Sequence, residues 1–215
     1  LRECDLMQKI VSLGCGRAAA IRLLAAGVAI ASTLWLTACA EDVPPFVGID
    51  ITGANYAQDF TLTDHNGQRR TLADFKGKAV VIFFGFTQCP DVCPTSMSEM
   101  AEAKALLGPL GDRFQGLFLT VDPERDTPEV MAAYVSHFDP TFLALYADPG
   151  ELKQVAADFK VYYKRVEGPT PTSYSIDHSA GSYVYDAKGQ LRLYHRYNTG
   201  AAGLASDIKQ LLTEN

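Results

Sequence analysis

One junction between a strand and a helix constrains this sequence most. Residues 79–86 form an uninterrupted apolar run, which is followed by two cysteines and then by a helical pattern. The run is rich in Val, Ile and Phe, which is typical of a strand buried on both faces. Met97, Met100 and Ala101 recur at helical spacing within residues 94–107. A strand covered on both faces needs helices on both sides, so the junction predicts an α/β fold with parallel strands.

The rest of the chain continues the alternation of strands and helices. Further strands are predicted at residues 60–63, 117–121, 142–146, 182–185 and 190–194, and further helices at 127–138, 150–159 and 201–212. Asn66-Gly67 is a turn signal, and residues 186–189 predict a hairpin turn. Thr127 fits a helix N-cap and Pro128 fits the first helical position.

The N-terminal segment has the pattern of an export signal. Arg17 and Arg22 precede residues 23–40, which carry no charge. Residues 36–39, Leu-Thr-Ala-Cys, resemble the lipobox of bacterial lipoproteins, in which the leader is cut before the cysteine and Cys39 would carry lipid. An uncleaved membrane anchor is the alternative, because an apolar stretch of this length can just span a bilayer.

Both alternatives predict the same organisation of the chain. Residues 1–39 are the leader or anchor, residues 40–56 a linker, and residues 57–215 the domain. The domain would face the periplasm or exterior, held at the bacterial cytoplasmic membrane. Of five cysteines, cleavage would leave only Cys89 and Cys93 free. The formal net charge is −6 and no basic cluster is present, so we expect no nucleic-acid partner.

Cys89 and Cys93 are predicted at the carboxyl end of a buried strand, where sites in open α/β sheets lie. Pro94 predicts that the helix begins just after Cys93, so its N-terminus should favour thiolate over thiol. Such a pair could be a structural disulfide, a redox site or a metal site. Three residues separate the two cysteines, whereas the thioredoxin motif has two. Two thiolates suit Cu(I) or zinc, and an imidazole would complete a three-coordinate copper site.

Four histidines could supply that imidazole. His65 lies in a polar turn and is expected to be exposed, and His137 is predicted at a helix end, where a cation suits the dipole. His195 stands beside two arginines, which disfavour a second positive charge. His178 follows an irregular stretch and precedes a strand, which makes it a candidate ligand. It is 85 residues from Cys93, so the sequence does not show that they meet.

Three blocks of the sequence resemble the SCO/SenC family of copper chaperones. They are GKAVVIFFGFTQCPDVCPTSMSEM, TVDPERDTPEVMAAYVSHF and SIDHSAGSYVYDAKGQL, and the similarity extends over roughly residues 59–212. The resemblance implies a thioredoxin-like α/β fold with a mixed central sheet, flanking helices and a β-hairpin insertion. It also implies that Cys89, Cys93 and His178 bind Cu(I) and Cu(II), while Asp177 orients His178 or contributes to a partner surface.

The resemblance further implies a function. Family members help to build the dinuclear copper centre of cytochrome c oxidase subunit II, so the expected partners are that subunit, a periplasmic copper donor and a thiol reductant. The alternative is a membrane-tethered thiol–disulfide oxidoreductase that acts on the cysteines of subunit II. A thiol peroxidase shares the fold, but Phe86 stands where the Thr-x-x-Cys block of peroxidases has threonine.

The acidic segment 122–126 belongs to the second block. It has too few ligands at loop spacing for calcium. Helix capping accounts for Asp126 and Thr127. We therefore expect a loop near the site that contacts the partner.

Overall fold

A computed structural model describes residues 45–170 and 173–214. The predicted leader and Cys39 lie outside these residues. Ten strands are found in the described part of the chain: β1 (Ile49–Asp50), β2 (Leu62–Asp64), β3 (Arg69–Arg70), β4 (Ala79–Gly85), β5 (Phe114–Thr120), β6 (Leu143–Tyr146), β7 (Tyr163–Val166), β8 (Ser175–His178), β9 (Ser182–Tyr185) and β10 (Leu191–His195). The α-helices of the same part are α1 (Val92–Leu106), α2 (Pro128–Phe138), α3 (Pro149–Asp158) and α4 (Ala201–Thr213).

Eight strands form one mixed sheet in the order β1-β10-β9-β4-β5-β6-β2-β3. Strands β4, β5 and β6 are parallel, and the neighbouring pairs on either side are antiparallel. Every residue of β4 and β5 is buried. Because successive side chains in a strand point to opposite faces, both faces of the sheet centre are covered. The predicted α/β class and the mixed central sheet are confirmed.

The helix boundaries follow local signals except at α1. Thr127 caps α2 by accepting a hydrogen bond from the Val130 amide, and Pro128 is the first helical residue, as predicted. Helix α1, by contrast, begins at Val92 rather than after Cys93. Pro94 is therefore inside the first turn, where its missing N–H leaves no intrahelical bond unmade. Cys93 is consequently a helical residue.

Strands β7 and β8 form a separate two-stranded sheet, which is the predicted hairpin insertion. Tyr163 pairs with His178 at one end of this hairpin. The hairpin places His178 beside the main sheet without joining its hydrogen-bond ladder.

The end of the predicted linker is part of the domain. Strand β1 pairs with β10, and the amides of Val47 and Gly48 donate to the carboxylate of Asp207 on α4. In the described part of the chain, every helix is too short or too polar to cross a bilayer.

Candidate metal centre

The three predicted ligands meet beyond the carboxyl end of β4. Cys89 lies in the loop that follows the strand, Cys93 lies in the first turn of α1, and His178 ends β8. The two sulfur atoms and one imidazole nitrogen all lie within 4.8 Å of one another. The Sγ of Cys93 is 3.5 Å from the Nε2 of His178, although 85 residues separate them in sequence. The fold therefore joins the predicted imidazole to the predicted thiols.

The two cysteines differ in access to solvent. Cys93 is fully buried, whereas Cys89 is half-buried, and both are free thiols. The backbone N–H of Cys93 donates to the Sγ of Cys89 at 3.4 Å. This N–H in the first turn of α1 thus points at the sulfur of Cys89 and not at that of Cys93. Burial raises the pKa of the Cys93 thiol, so the predicted thiolate at that position is wrong for the metal-free protein.

The orientation of His178 is set by its neighbour in the chain. Its Nδ1 lies 2.9 Å from the carbonyl oxygen of Ser179, which can only accept, so Nδ1 carries the hydrogen. The lone pair of Nε2 then faces Cys93. The Ser179 carbonyl, rather than Asp177, orients the ring, and Asp177 is exposed. Its role in a partner surface stays a prediction.

Aromatic rings enclose the imidazole. The rings of Phe83 and Phe86 contact His178 edge-on, with centroids 6.0 Å and 5.8 Å away. Burial among these groups lowers the pKa of His178 below its ordinary value. A neutral imidazole with a free Nε2 is the form that binds metals.

Gly85, the last residue of β4, leaves space for the Cys93 sulfur. A Cβ at this position would lie 2.9 Å from Cys93 Sγ and 2.8 Å from a ring atom of Phe83. Such distances are shorter than van der Waals contact. A glycine in a strand often marks a close approach of this kind, which is the signal that could have identified it from sequence.

Asp126 holds the loop that leads to Cys89. Its buried carboxylate accepts hydrogen bonds from the N–H and hydroxyl of Thr87 and from the hydroxyl of Thr120. Burial raises the pKa of Asp126, against these bonds. The prediction that helix capping explains Asp126 is therefore wrong, because its side chain anchors the site loop.

The other histidines have structural surroundings. His65 is half-buried and its Nδ1 accepts from the Ala144 N–H, so its predicted exposure is wrong. His137 is exposed in the last turn of α2, as predicted. His195 is buried with its Nε2 2.8 Å from a carboxylate oxygen of Asp207, so an acid and not the neighbouring arginines dominates its environment.

The donor set fits a soft metal ion. Two sulfurs and an imidazole nitrogen are ligands that favour Cu(I). Three ligand atoms about 2.3 Å from one ion in a trigonal arrangement lie roughly 4.0 Å apart. The three atoms of this site lie within 4.8 Å of one another, so they would approach one another by up to roughly 0.8 Å to hold the ion. The same two thiols could instead be oxidised to a disulfide.

Comparison with known proteins points to one family. A family profile described as SCO1/SenC matches residues 50–213. The SCO2-like protein of Rickettsia felis is 41% identical over 140 residues, which cover 65% of this chain and 68% of that protein. Copper-bound ScoI from Bradyrhizobium japonicum is 40% identical with a TM-score of 0.65, covering 71% of this chain and 97% of that one. Apo Sco1 from Thermus thermophilus is 34% identical with a TM-score of 0.70, covering 80% and 99%.

Proposed function

This chain belongs to the SCO1/SenC family and has its thioredoxin-like fold, and from its site we propose that it is a copper metallochaperone. The observation that carries the proposal is the convergence of Cys89, Cys93 and His178, whose ligand atoms lie within 4.8 Å. Copper is the cargo, since the ScoI of Bradyrhizobium japonicum, 40% identical, has been solved with copper bound.

The unequal burial of the ligands suggests how copper would leave. Cys93 is fully enclosed, while Cys89 and His178 are half-buried at the rim. An incoming ligand from a partner can therefore approach from the side of Cys89. We expect the Cys89 and His178 bonds to be replaced first and the Cys93 bond last. Each thiolate that loses copper takes up a proton, so transfer is coupled to protonation.

The proposed acceptor is the dinuclear copper centre of cytochrome c oxidase subunit II, on the strength of the family resemblance. A periplasmic donor would supply the copper and a thiol reductant would keep the cysteines reduced. We propose that residues 1–39 are a leader or anchor that holds the domain at the outer face of the bacterial cytoplasmic membrane, with Cys39 lipidated. Intact-mass spectrometry of membrane-extracted protein distinguishes lipidation from a retained anchor.

One observation favours a second candidate, thiol–disulfide exchange. An accessible thiol, Cys89, lies beside a buried one, Cys93, with a backbone N–H directed at the accessible sulfur. Cys89 would attack a disulfide of subunit II and Cys93 would resolve the mixed disulfide. The substrate gains two electrons and two protons while the pair becomes a disulfide. A thiol reductant must then restore both thiols.

Copper titration of the purified protein tests the main proposal. We expect one copper per chain, lost in the Cys89→Ala, Cys93→Ala double variant and weakened in His178→Ala. The exposed His137→Ala is the matched control and should bind like wild type. Wild-type affinity in the double variant would refute the copper proposal.

A disulfide-reduction assay separates the two candidates. The substrate is an oxidised peptide carrying the subunit II cysteines. Thiol exchange needs the cysteines but not the imidazole, so full activity of His178→Ala in this assay, with its copper affinity reduced, would favour the redox function.

A further inference from the structure

Arg125 contacts both chain segments that carry the site. It lies in the loop between β5 and α2. Its Nη1 donates to the side-chain oxygen of Gln88 at 3.2 Å and to the carbonyl oxygen of Tyr174 at 2.8 Å. Gln88 immediately precedes Cys89, and Tyr174 immediately precedes β8, which ends at His178. One guanidinium therefore connects the cysteine loop to the histidine hairpin.

A buried carboxylate fixes this guanidinium. The Nε of Arg125 donates to one oxygen of Asp122 at 2.5 Å, and the Tyr174 hydroxyl donates to the other at 2.7 Å. Asp122 is 3% exposed, so both bonds form away from bulk water. Charge-assisted bonds of this kind are strong and directional. Asp122 thereby sets the position of Arg125 relative to the tyrosine ring.

Stacking adds a second constraint on the hairpin. The guanidinium carbon of Arg125 lies 3.5 Å from the centroid of the Tyr174 ring, and that of Arg165 on β7 lies 3.6 Å from it. Two guanidiniums that close to one centroid must occupy opposite faces. The ring is thus clamped between a loop residue and a hairpin residue. Arg125 also lies 5.8 Å from the ring of Phe86, which contacts His178.

The hairpin needs such a connection. Strands β7 and β8 are not hydrogen-bonded into the main sheet. A pocket of about 170 Å³ that is open to solvent separates part of the hairpin from Val121 and Leu152. The distance between His178 and the cysteines is therefore fixed by side-chain contacts rather than by strand pairing. Arg125 is well placed to fix it and poorly placed to touch a partner, because its side chain is only 14% exposed.

We propose that Arg125 is a positioning residue that sets the distance between His178 and the two cysteines. The proposal rests on the copper-binding function proposed above. Its planar, forked guanidinium stacks on Tyr174 while donating to Asp122 and Gln88, which a lysine ammonium cannot reproduce. Residues that orient metal ligands in this way typically change affinity by 10–100-fold when altered.

The test is Arg125→Lys, with Arg165→Lys as the matched control. Both keep the charge and both remove stacking on Tyr174, but Arg125 also donates to Gln88, the residue before Cys89, and to the buried Asp122, whereas Arg165 is on the hairpin itself and is 39% exposed. We expect Arg125→Lys to weaken copper binding by roughly tenfold or more, and Arg165→Lys by much less. In a His178→Ala background, Arg125→Lys should have no further effect, because its role acts through that ligand. An equal loss in both backgrounds would overturn the proposal.

A metal-free measurement keeps the two proposals separate. Hydrogen exchange at the amide of Ser179, which donates to the carbonyl of Tyr162 at 2.9 Å across the hairpin, and at the amide of Asp177, on the same side of the ladder, should be faster in Arg125→Lys than in wild type. Unchanged exchange would overturn the positioning role even if copper binds as proposed. Failure of the wild type to bind copper would refute the proposed copper-binding function. The exchange rates would still show whether Arg125 positions the hairpin. If Arg125→Lys does not fold, Tyr174→Phe, which removes only the bond to Asp122, should show the same direction of effect.

Discussion

Replacing Gly85 by alanine should displace groups of the metal site, because the new side chain would enter the space next to the Cys93 sulfur. The new Cβ would lie 2.9 Å from Cys93 Sγ, 2.8 Å from Phe83 Cε1 and 2.9 Å from Phe118 Cε2. Non-bonded carbon atoms pack best at about 3.5–4.0 Å, so each neighbour must retreat by roughly 0.6 Å or more. Movement of Cys93 Sγ displaces one ligand directly, and movement of Phe83 displaces a ring that contacts His178.

Two separate effects should result from this substitution. Overpacking of a buried strand typically costs about 1–3 kcal/mol of folding stability. Displacement of the ligand should weaken copper binding by about tenfold, which corresponds to about 1.4 kcal/mol. Urea unfolding of the metal-free protein measures the first effect, and competition with a coloured Cu(I) chelator measures the second.

Gly116→Ala is the matched control for Gly85→Ala. A Cβ at Gly116 would meet the Phe142 ring at 2.7–2.9 Å, so the overpacking is similar. Gly116 pairs with Val81, four residues before Gly85 and roughly 13 Å away along the strand. We expect comparable loss of stability with unchanged copper affinity. Equal copper affinities for the two variants would show that Gly85 does not make space for the Cys93 sulfur.

Three further predictions concern buried ionisable groups and their hydrogen bonds. Because the raised pKa keeps Cys93 protonated at neutral pH, copper must displace its proton, and this proton alone should make the affinity in competition titrations fall about tenfold per unit of decreasing pH. The lowered pKa of His178 adds proton competition only below its ordinary value of 6.5. A flat profile would contradict these ligands. In metal-free protein, an alkylating reagent should modify Cys89 before Cys93, since each unit by which the pKa of a thiol is raised removes about nine-tenths of its reactive thiolate. Mass spectrometry measures the two rates of modification, and equal rates would contradict the difference in burial. Asp207→Asn should lose about 1–3 kcal/mol in urea unfolding at neutral pH. Burial acts to raise the pKa of Asp207, but its bonds with His195 and with the amides of Gly48 and Val47 outweigh burial and hold the pKa below 3.8. The stabilisation that the Asp207 carboxylate contributes is therefore present above that value and should disappear as the pH falls through the pKa of the folded state. A stability advantage of wild type over Asp207→Asn that persists in acid would refute this account.

Local rules predicted much of the fold. The apolar runs at β4 and β5 identify strands covered on both faces, because burial on both sides leaves no position for polar side chains. Thr127 and Pro128 placed the start of α2, because capping depends on neighbours a few residues away. Pro94 predicts a start of α1 after Cys93, whereas the helix begins at Val92, since a proline is also tolerated inside the first turn.

Predictions about charge were less successful because they depend on distant groups. The sequence predicts a helix-capping role for Asp126, but its partners are Thr87, just beyond the end of β4, and Thr120, the last residue of β5. The adjacent arginines predict surroundings of His195 that disfavour a positive charge, but its ring pairs with the carboxylate of Asp207 on α4. The helix N-terminus was expected to favour a thiolate at Cys93, and burial outweighs it. In each case the dominant effect comes from groups that only the folded chain brings together, not from the immediate neighbours in sequence.

The sequence by itself determined the α/β class, the placement of two cysteines where a buried strand meets a helix, and the resemblance that selected His178. The tertiary structure alone decided that the imidazole meets the thiols, because the hairpin that carries it is positioned by contacts such as those of Arg125 with Gln88 and Tyr174. Periodicity and capping are short-range and can be read along the chain. The geometry of a three-ligand site is long-range, and burial and packing fix it only after the chain has folded.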